Sequence, residues 1–328
     1  MDRHSGRGPA AGTQALSWQP LLAPRSRLPA PATLDGWLAA LQGQGARDPF
    51  SLALLGGRLA QTPGLAFLAG YQAALRCLWP DAPEGLGALC ASERRSPRPA
   101  DLQTRLERSS LSGTKDFVTG GAAARWLLVA AREEAPGERP RLALCVVEAG
   151  ASGVTVEAGA ALPLLPDIPH GRLRLADAPC QRLAGDGWAD YVKPFRLLED
   201  LYVLLALVSW LYGIGLEAAW PQRLQLRLLS ILIGAAETAR QAPRDPTAAL
   251  LLGALGEQFA ALQSELDGAL ATAPRHWSEG WQRDRAVLAL AGAARERRLA
   301  QAAAQFGLTP GRPSANATQG TPRGAADL

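Results

Sequence analysis

The chain has 328 residues, a formal charge of +4, and 48% hydrophobic against 20% charged residues. That is enough for two or three packed units, at the polarity of an ordinary globular protein. The excess charge does not indicate a nucleic-acid partner, because the basic residues (Arg throughout, with Lys at 115 and 193) are scattered among acids rather than gathered into a stripe. Four cysteines without a C-x-x-C pair (Cys77, Cys90, Cys145, Cys180) read as buried free thiols of a reducing, cytoplasmic setting, and three widely spaced histidines (His4, His170, His276) offer no metal-ligand set.

Residues 1–32 are rich in Pro, Gly, Ser and Arg, lack the apolar stretch of a signal peptide after Arg3 and Arg7, and read as disordered or loosely draped. Residues 33–85 predict an abbreviated helical unit. Thr33 or Asp35 caps a first helix to about 42, Asp48-Pro49 opens a second over 50–59, and a third runs over 64–78 until Trp79-Pro80 stops it. Residues 86–187 predict a β-domain. Strands are read at 88–93, at 117–119, at 126–131 after a Gly120-Gly121 turn, and at 142–147 beyond a polar loop over 133–139. Val154/Val156 and Leu173/Leu175 alternate with polar residues as half-buried strands do, and the whole reads as a small antiparallel barrel or sandwich. Residues 188–307 switch to helical periodicity, with segments over 188–215, 221–241, 246–272 (Asp245 as N-cap, Pro246 at its first position) and 277–306. They form a C-terminal four-helix bundle. Its uncharged run 201–216 falls short of the ~20 residues of a membrane span and reads as a buried helix. Residues 308–328 read as a disordered tail. The fold class is α+β: helical segment, small β-barrel or sandwich, helical bundle.

Three stretches resemble, in order, motifs of the acyl-CoA dehydrogenase family. LSGTKDFVTGG (111–121) is similar to the family's G-x-K-x-[WF]-I-T-x-G hairpin. RLALCVVEAGASGVTVE (141–157) is similar to its next strand pair, and HGRLRLADAPCQRLAGDGW (170–188) to the run that closes its β-domain. ALCASE (88–93) resembles the family's x-C-x-T-E strand, although RRSPRP (94–99) stands where the family has a Gly-Ser-Asp turn. The resemblance implies flavin adenine dinucleotide (FAD) between the β-domain and the bundle. It also implies removal of an acyl thioester's α-proton by a carboxylate while hydride leaves the β-carbon for the flavin. It places Ser92, Phe117 and Thr119 at the flavin ring, and implies an acyl-CoA or other acyl thioester as substrate and a homo- or hetero-oligomer.

The departures are specific. Arg283-Asp284 resembles the family's Arg-Asp pair, but eight residues on, where many members carry Glu, stands Gly292. Other members place the base on the first bundle helix just before an Arg, and here Phe195 precedes Arg196. The nearest carboxylate is Glu199, one turn on and on roughly the same face, and it is the candidate catalytic base; the bland alternative is a salt-bridged acid at the core edge. The family's R-x-x-F-G segment is missing from EAAWPQR (217–223), and its Q-x-x-G-G segment from SELDGALATAPRHWSEG (264–280), so the cofactor's phosphate half lacks its usual partners. Arg295-Glu296-Arg297-Arg298 reads as a solvated helix face, or as contacts for coenzyme A phosphates. Three functions follow as expectations: a flavin-dependent acyl-thioester dehydrogenase, a catalytically silent homologue that binds or assembles with an active one, and a flavin oxygenase that needs no base.

Overall fold

A computed structural model of the chain describes residues 18–308 apart from 24, 95, 97, 134–140 and 291. The expected disorder of residues 1–17 and 309–328 lies outside the described residues, as does most of the 133–139 loop. A four-residue turn of helix, α1 (Gln19–Leu22), precedes α2 (Leu34–Gly43), α3 (Pro49–Leu59) and α4 (Pro63–Leu78). Their starts follow the sequence signals. The Thr33 side chain accepts from the Gly36 amide at 3.1 Å, and Asp48 and Ser51 form a reciprocal capping box ahead of Pro49. The described part of the N-terminal segment is docked rather than loosely draped. Leu28 N donates to the Leu59 carbonyl at 2.9 Å, and the Arg27 guanidinium reaches Glu217 at 3.0 Å while lying over Trp210 and Trp277.

Eight strands follow: β1 (Gly87–Cys90), β2 (Arg105–Glu107), β3 (Ser110–Thr119), β4 (Trp126–Glu133), β5 (Arg141–Glu148), β6 (Val154–Ala158), β7 (His170–Pro179) and β8 (Gln181–Arg182). They form one sheet in the order β6-β7-β3-β2-β4-β5-β8, with β1 sharing the β2 edge of β4. Both β1 and β2 run parallel to β4, so the sheet is mixed where the short loops suggested antiparallel pairing throughout. The expected Gly120-Gly121 turn forms, but the strands on its two sides do not pair with each other. β3 pairs with β2 and β7, whereas β4 pairs with β1, β2 and β5. Gly120 and Gly121, at φ 88° and 54°, turn the chain into a single 3-10 turn that carries it to another part of the sheet. The apolar run of β4 is explained by two cores. Trp126, Leu128 and Ala130 face the helices, and Leu127, Val129 and Ala131 face the curled interior of the sheet.

The C-terminal part comprises α5 (Lys193–Glu217, entered through a π-helical turn over Gly187–Val192), α6 (Gln222–Thr238), α7 (Pro246–Ala260), α8 (Gln263–Ala271), α9 (Arg275–Asp284) and α10 (Gly292–Gln305). Two of the four expected segments are thus each broken in two. The chain turns at 261–262, where Phe259, Leu262 and Leu266 all stay buried, and again through a 3-10 turn at Arg285–Ala289. α5 is the one described helix long and apolar enough to cross a membrane; 89% of its apolar window is buried inside the fold. α3 and α4 cross it at backbone distance. A Cβ added at Gly57 would lie 2.0 Å from the Ala206 carbonyl oxygen, and one at Gly70 2.5 Å from that of Tyr202. Of the expected solvated cluster on α10, Arg295 and Arg298 instead turn inward onto Asp200.

Candidate active site

A cavity of about 660 Å³ opens where α4, the sheet's β1 and β3 ends, α5, α7 and the 285–290 turn meet. Its volume is that of a small-molecule site. All four residues singled out in the sequence, Ser92, Phe117, Thr119 and Glu199, border it.

The β wall is built around a buried ion pair. β1 ends at Cys90, and the chain passes Ser92 to Glu93, whose carboxylate meets Lys115 Nζ on β3 at 2.6 Å. Glu93 also accepts from the amides of Gln103 (2.5 Å) and Thr104 (3.1 Å), and the Ser92 carbonyl accepts from Asp116 N at 3.0 Å. Burial pushes the Glu93 carboxyl up, but Lys115 and the donors around it hold it net below the usual carboxylate range. The pair thus joins the Ser92 segment to β3. A register shift between Lys115 and Val118 keeps both of those side chains buried and leaves Phe117 between them 46% exposed on the cavity wall. A bare aromatic face in a cavity is a platform for a flat ring.

On the helical side, Glu199 stands nearly two turns into α5 and retains 26% of its side-chain surface, next to a wall that includes Phe195, Val203 and Phe259. Burial pushes its carboxyl up to about 7; Arg196, 3.8 Å away, opposes this, Asp200 adds to it, and Arg298 opposes it. Tyr71 carries no signal in the sequence beyond its helical periodicity. Its hydroxyl accepts from Leu89 N at 2.8 Å, interacts with Thr119, and feels the charge of Glu199. Tyr71 therefore ties the β wall to α4 beside the carboxylate, and burial raises its phenol far above the usual range. The strip Leu288–Leu290 borders the cavity without a carboxylate, and Gly292 begins α10. The Arg283–Asp284 pair serves structure. The guanidinium binds the neighbouring carboxylate at 2.7 and 2.8 Å, and Asp284 Oδ1 accepts from Leu165 N at 2.7 Å, fastening α9 to the loop before β7. Among the described residues no three His, Cys, Asp or Glu side chains gather as a metal site.

No protein-family model matches this sequence, and no curated protein matches it. Solved structures do. Butyryl-CoA dehydrogenase from Megasphaera elsdenii aligns over 81% of this chain and 84% of its own, at 12% identity and a TM-score of 0.59. PigA with FAD and proline aligns over 84% and 90%, at 14% identity and a TM-score of 0.60. FkbI, for biosynthesis of the methoxymalonyl extender unit of the Fk520 polyketide, aligns over 83% and 89%, at 20% identity and a TM-score of 0.57. At these identities the likeness is one of architecture, and it spans the N-terminal helices, the curled sheet and the C-terminal helices alike: the chain has the acyl-CoA dehydrogenase fold.

Proposed function

We propose that this chain is a flavin-dependent oxidoreductase that dehydrogenates the α,β-bond of an acyl thioester, with FAD as cofactor and Glu199 as proton acceptor. The observation that carries this reading is convergence: Ser92, Phe117, Thr119 and Glu199, far apart in sequence, border one cavity.

The residues present suit the ring end of the cofactor. Phe117 offers the exposed aromatic face, and Ser92 and Thr119 offer polar groups beside it. The cations on the wall are otherwise engaged: Arg285 binds Asp267 at 2.9 Å, and Arg295 binds Asp200 at 2.9 Å. When bound, FAD supplies the acceptor for the hydride that leaves the β-carbon. The protein's part is to take the α-proton onto a Glu199 oxygen. A carboxyl pushed up to about 7 exchanges its proton near neutral pH and is a stronger base than an ordinary carboxylate. Arg196 sits close enough to steady its charge, and Phe195, Val203 and Phe259 form the apolar wall beside it. We also place the contact with a second chain on α6, where Leu226 and Ile233 stand two turns apart on one face, 55% and 52% exposed.

A second reading, a silent homologue that assembles with an active relative, is favoured by the carboxylate-free Leu288–Leu290 strip and by the engaged wall cations. An absorption spectrum of the purified protein with and without added FAD separates the two. A stoichiometric flavin band bleached by an acyl-CoA, with bleaching lost in Glu199→Gln, supports the dehydrogenase. Failure to take up flavin refutes it. Flavin uptake with oxygen-dependent turnover indifferent to Glu199 selects an oxygenase.

A further inference from the structure

Asp200, the residue after Glu199, is held by two guanidiniums from α10. Arg295 Nη2 donates to Oδ1 at 2.9 Å, and Arg298 Nη2 binds Oδ2. The spacing of three puts both arginines on one face of the helix. Arg295 does more. Its Nη1 donates to the Leu288 carbonyl at 2.9 Å and its Nη2 reaches the Leu290 carbonyl at 3.3 Å. One side chain therefore fastens α5, the cavity strip and α10 together. Without the clamp, an uncompensated carboxylate would stand beside Glu199 at the edge of an apolar cavity, where like charges repel strongly.

We infer that Arg295 and Arg298 are positioning residues for Glu199: by clamping Asp200 from α10 they cancel the carboxylate beside it and brace the wall it faces, and so set how readily Glu199 holds a proton. The charged and titratable groups around Glu199 come from several elements. Arg196 and Asp200 lie on α5, Arg295 and Arg298 on α10, and Tyr71 on α4, while Arg285 and His170 border the same cavity. Tyr71 stays neutral because burial raises its phenol, and burial lowers His170, so it too favours the neutral form. Arg285 is balanced by Asp267. Arg196 acts on Glu199 directly from 3.8 Å, and the α10 clamp is the balance that reaches it through Asp200.

The inference takes its functional weight from the reading of Glu199 as proton acceptor, but its test needs neither flavin nor substrate. The full chain is titrated by infrared difference spectroscopy, with the Glu199 carboxyl band identified by its loss in Glu199→Gln. Asp200→Asn is expected to move the midpoint down and Arg298→Gln to move it up, each by about half a pH unit or more. Arg298→Lys is expected to return it toward the parent value. A merely structural role would loosen the site and move both variants the same way, toward an ordinary carboxyl. Shifts in the same direction, or no shift in either, overturn the inference. If the midpoints move as expected while flavin bleaching ignores Glu199→Gln, the electrostatic inference stands and the catalytic reading fails.

Discussion

Replacing Glu199 with Gln gives a stability test that requires no ligand. A carboxyl raised to about 7 in the folded chain, against 4.5 when exposed, makes the folded state prefer the protonated form. Its contribution to stability is fully present below pH 4.5 and is lost as pH rises through about 7. Integrating between pH 5 and pH 8 gives a loss of about 2.5 kcal/mol from this one group. Gln cannot ionise, so Glu199→Gln should escape the loss and gain about 2.5 kcal/mol on the parent across that interval. In a chain of this size that is a relative rise in Tm of about 4 °C. The assay is a pair of thermal scans for each protein, near pH 5 and near pH 8. Parallel behaviour of the two proteins would refute the claim that burial has raised this carboxyl, and with it the picture of a base poised near neutrality.

Three further outcomes follow from the geometry. Lys115→Met strands the Glu93 carboxylate in the sheet interior and should cost about 3–5 kcal/mol in chemical denaturation, with Glu93→Gln added on top restoring much of it. Phe117→Ala should leave stability within about 0.5 kcal/mol, since the ring is already half exposed, yet weaken FAD binding about tenfold by fluorescence titration. Leu226→Glu with Ile233→Glu should shift the protein to a smaller species in size-exclusion chromatography with light scattering; an unchanged mass would remove α6 from the interface.

The sequence was informative where a single element determined the outcome. Asp48-Pro49 and Asp245-Pro246 announce helix starts, and the side chains cap as expected. Leu173 and Leu175 are buried between exposed Arg172 and Arg174, as their alternation indicated. It failed where two distant segments decide. Nothing local distinguishes a β3–β4 hairpin from strands that part at Gly120, because the partners that win, β7 and β5, lie downstream in the chain. Arg295 and Arg298 carry the composition of a solvated face, and their target, Asp200, lies far back in the chain. For the site, the gathering of Ser92, Phe117 and Thr119 on one cavity wall was legible through motif order, whereas Tyr71 was not, since its hydroxyl is aimed by a tertiary contact with Leu89.

The glycine crossings of α3 and α4 on α5 bear on how this cavity could be reshaped. With Gly57 and Gly70 pressed against the α5 backbone, a side chain added at either position would push on the helix that carries Glu199. The opposite wall is a short 3-10 turn held by carbonyl bonds to one arginine; Leu288 packs partly on the core, whereas Ala289 and Leu290 border the cavity and are exposed. The shape of the chamber is therefore open to change at 289 and 290, where the side chains can vary while the backbone carbonyls that Arg295 holds stay in place.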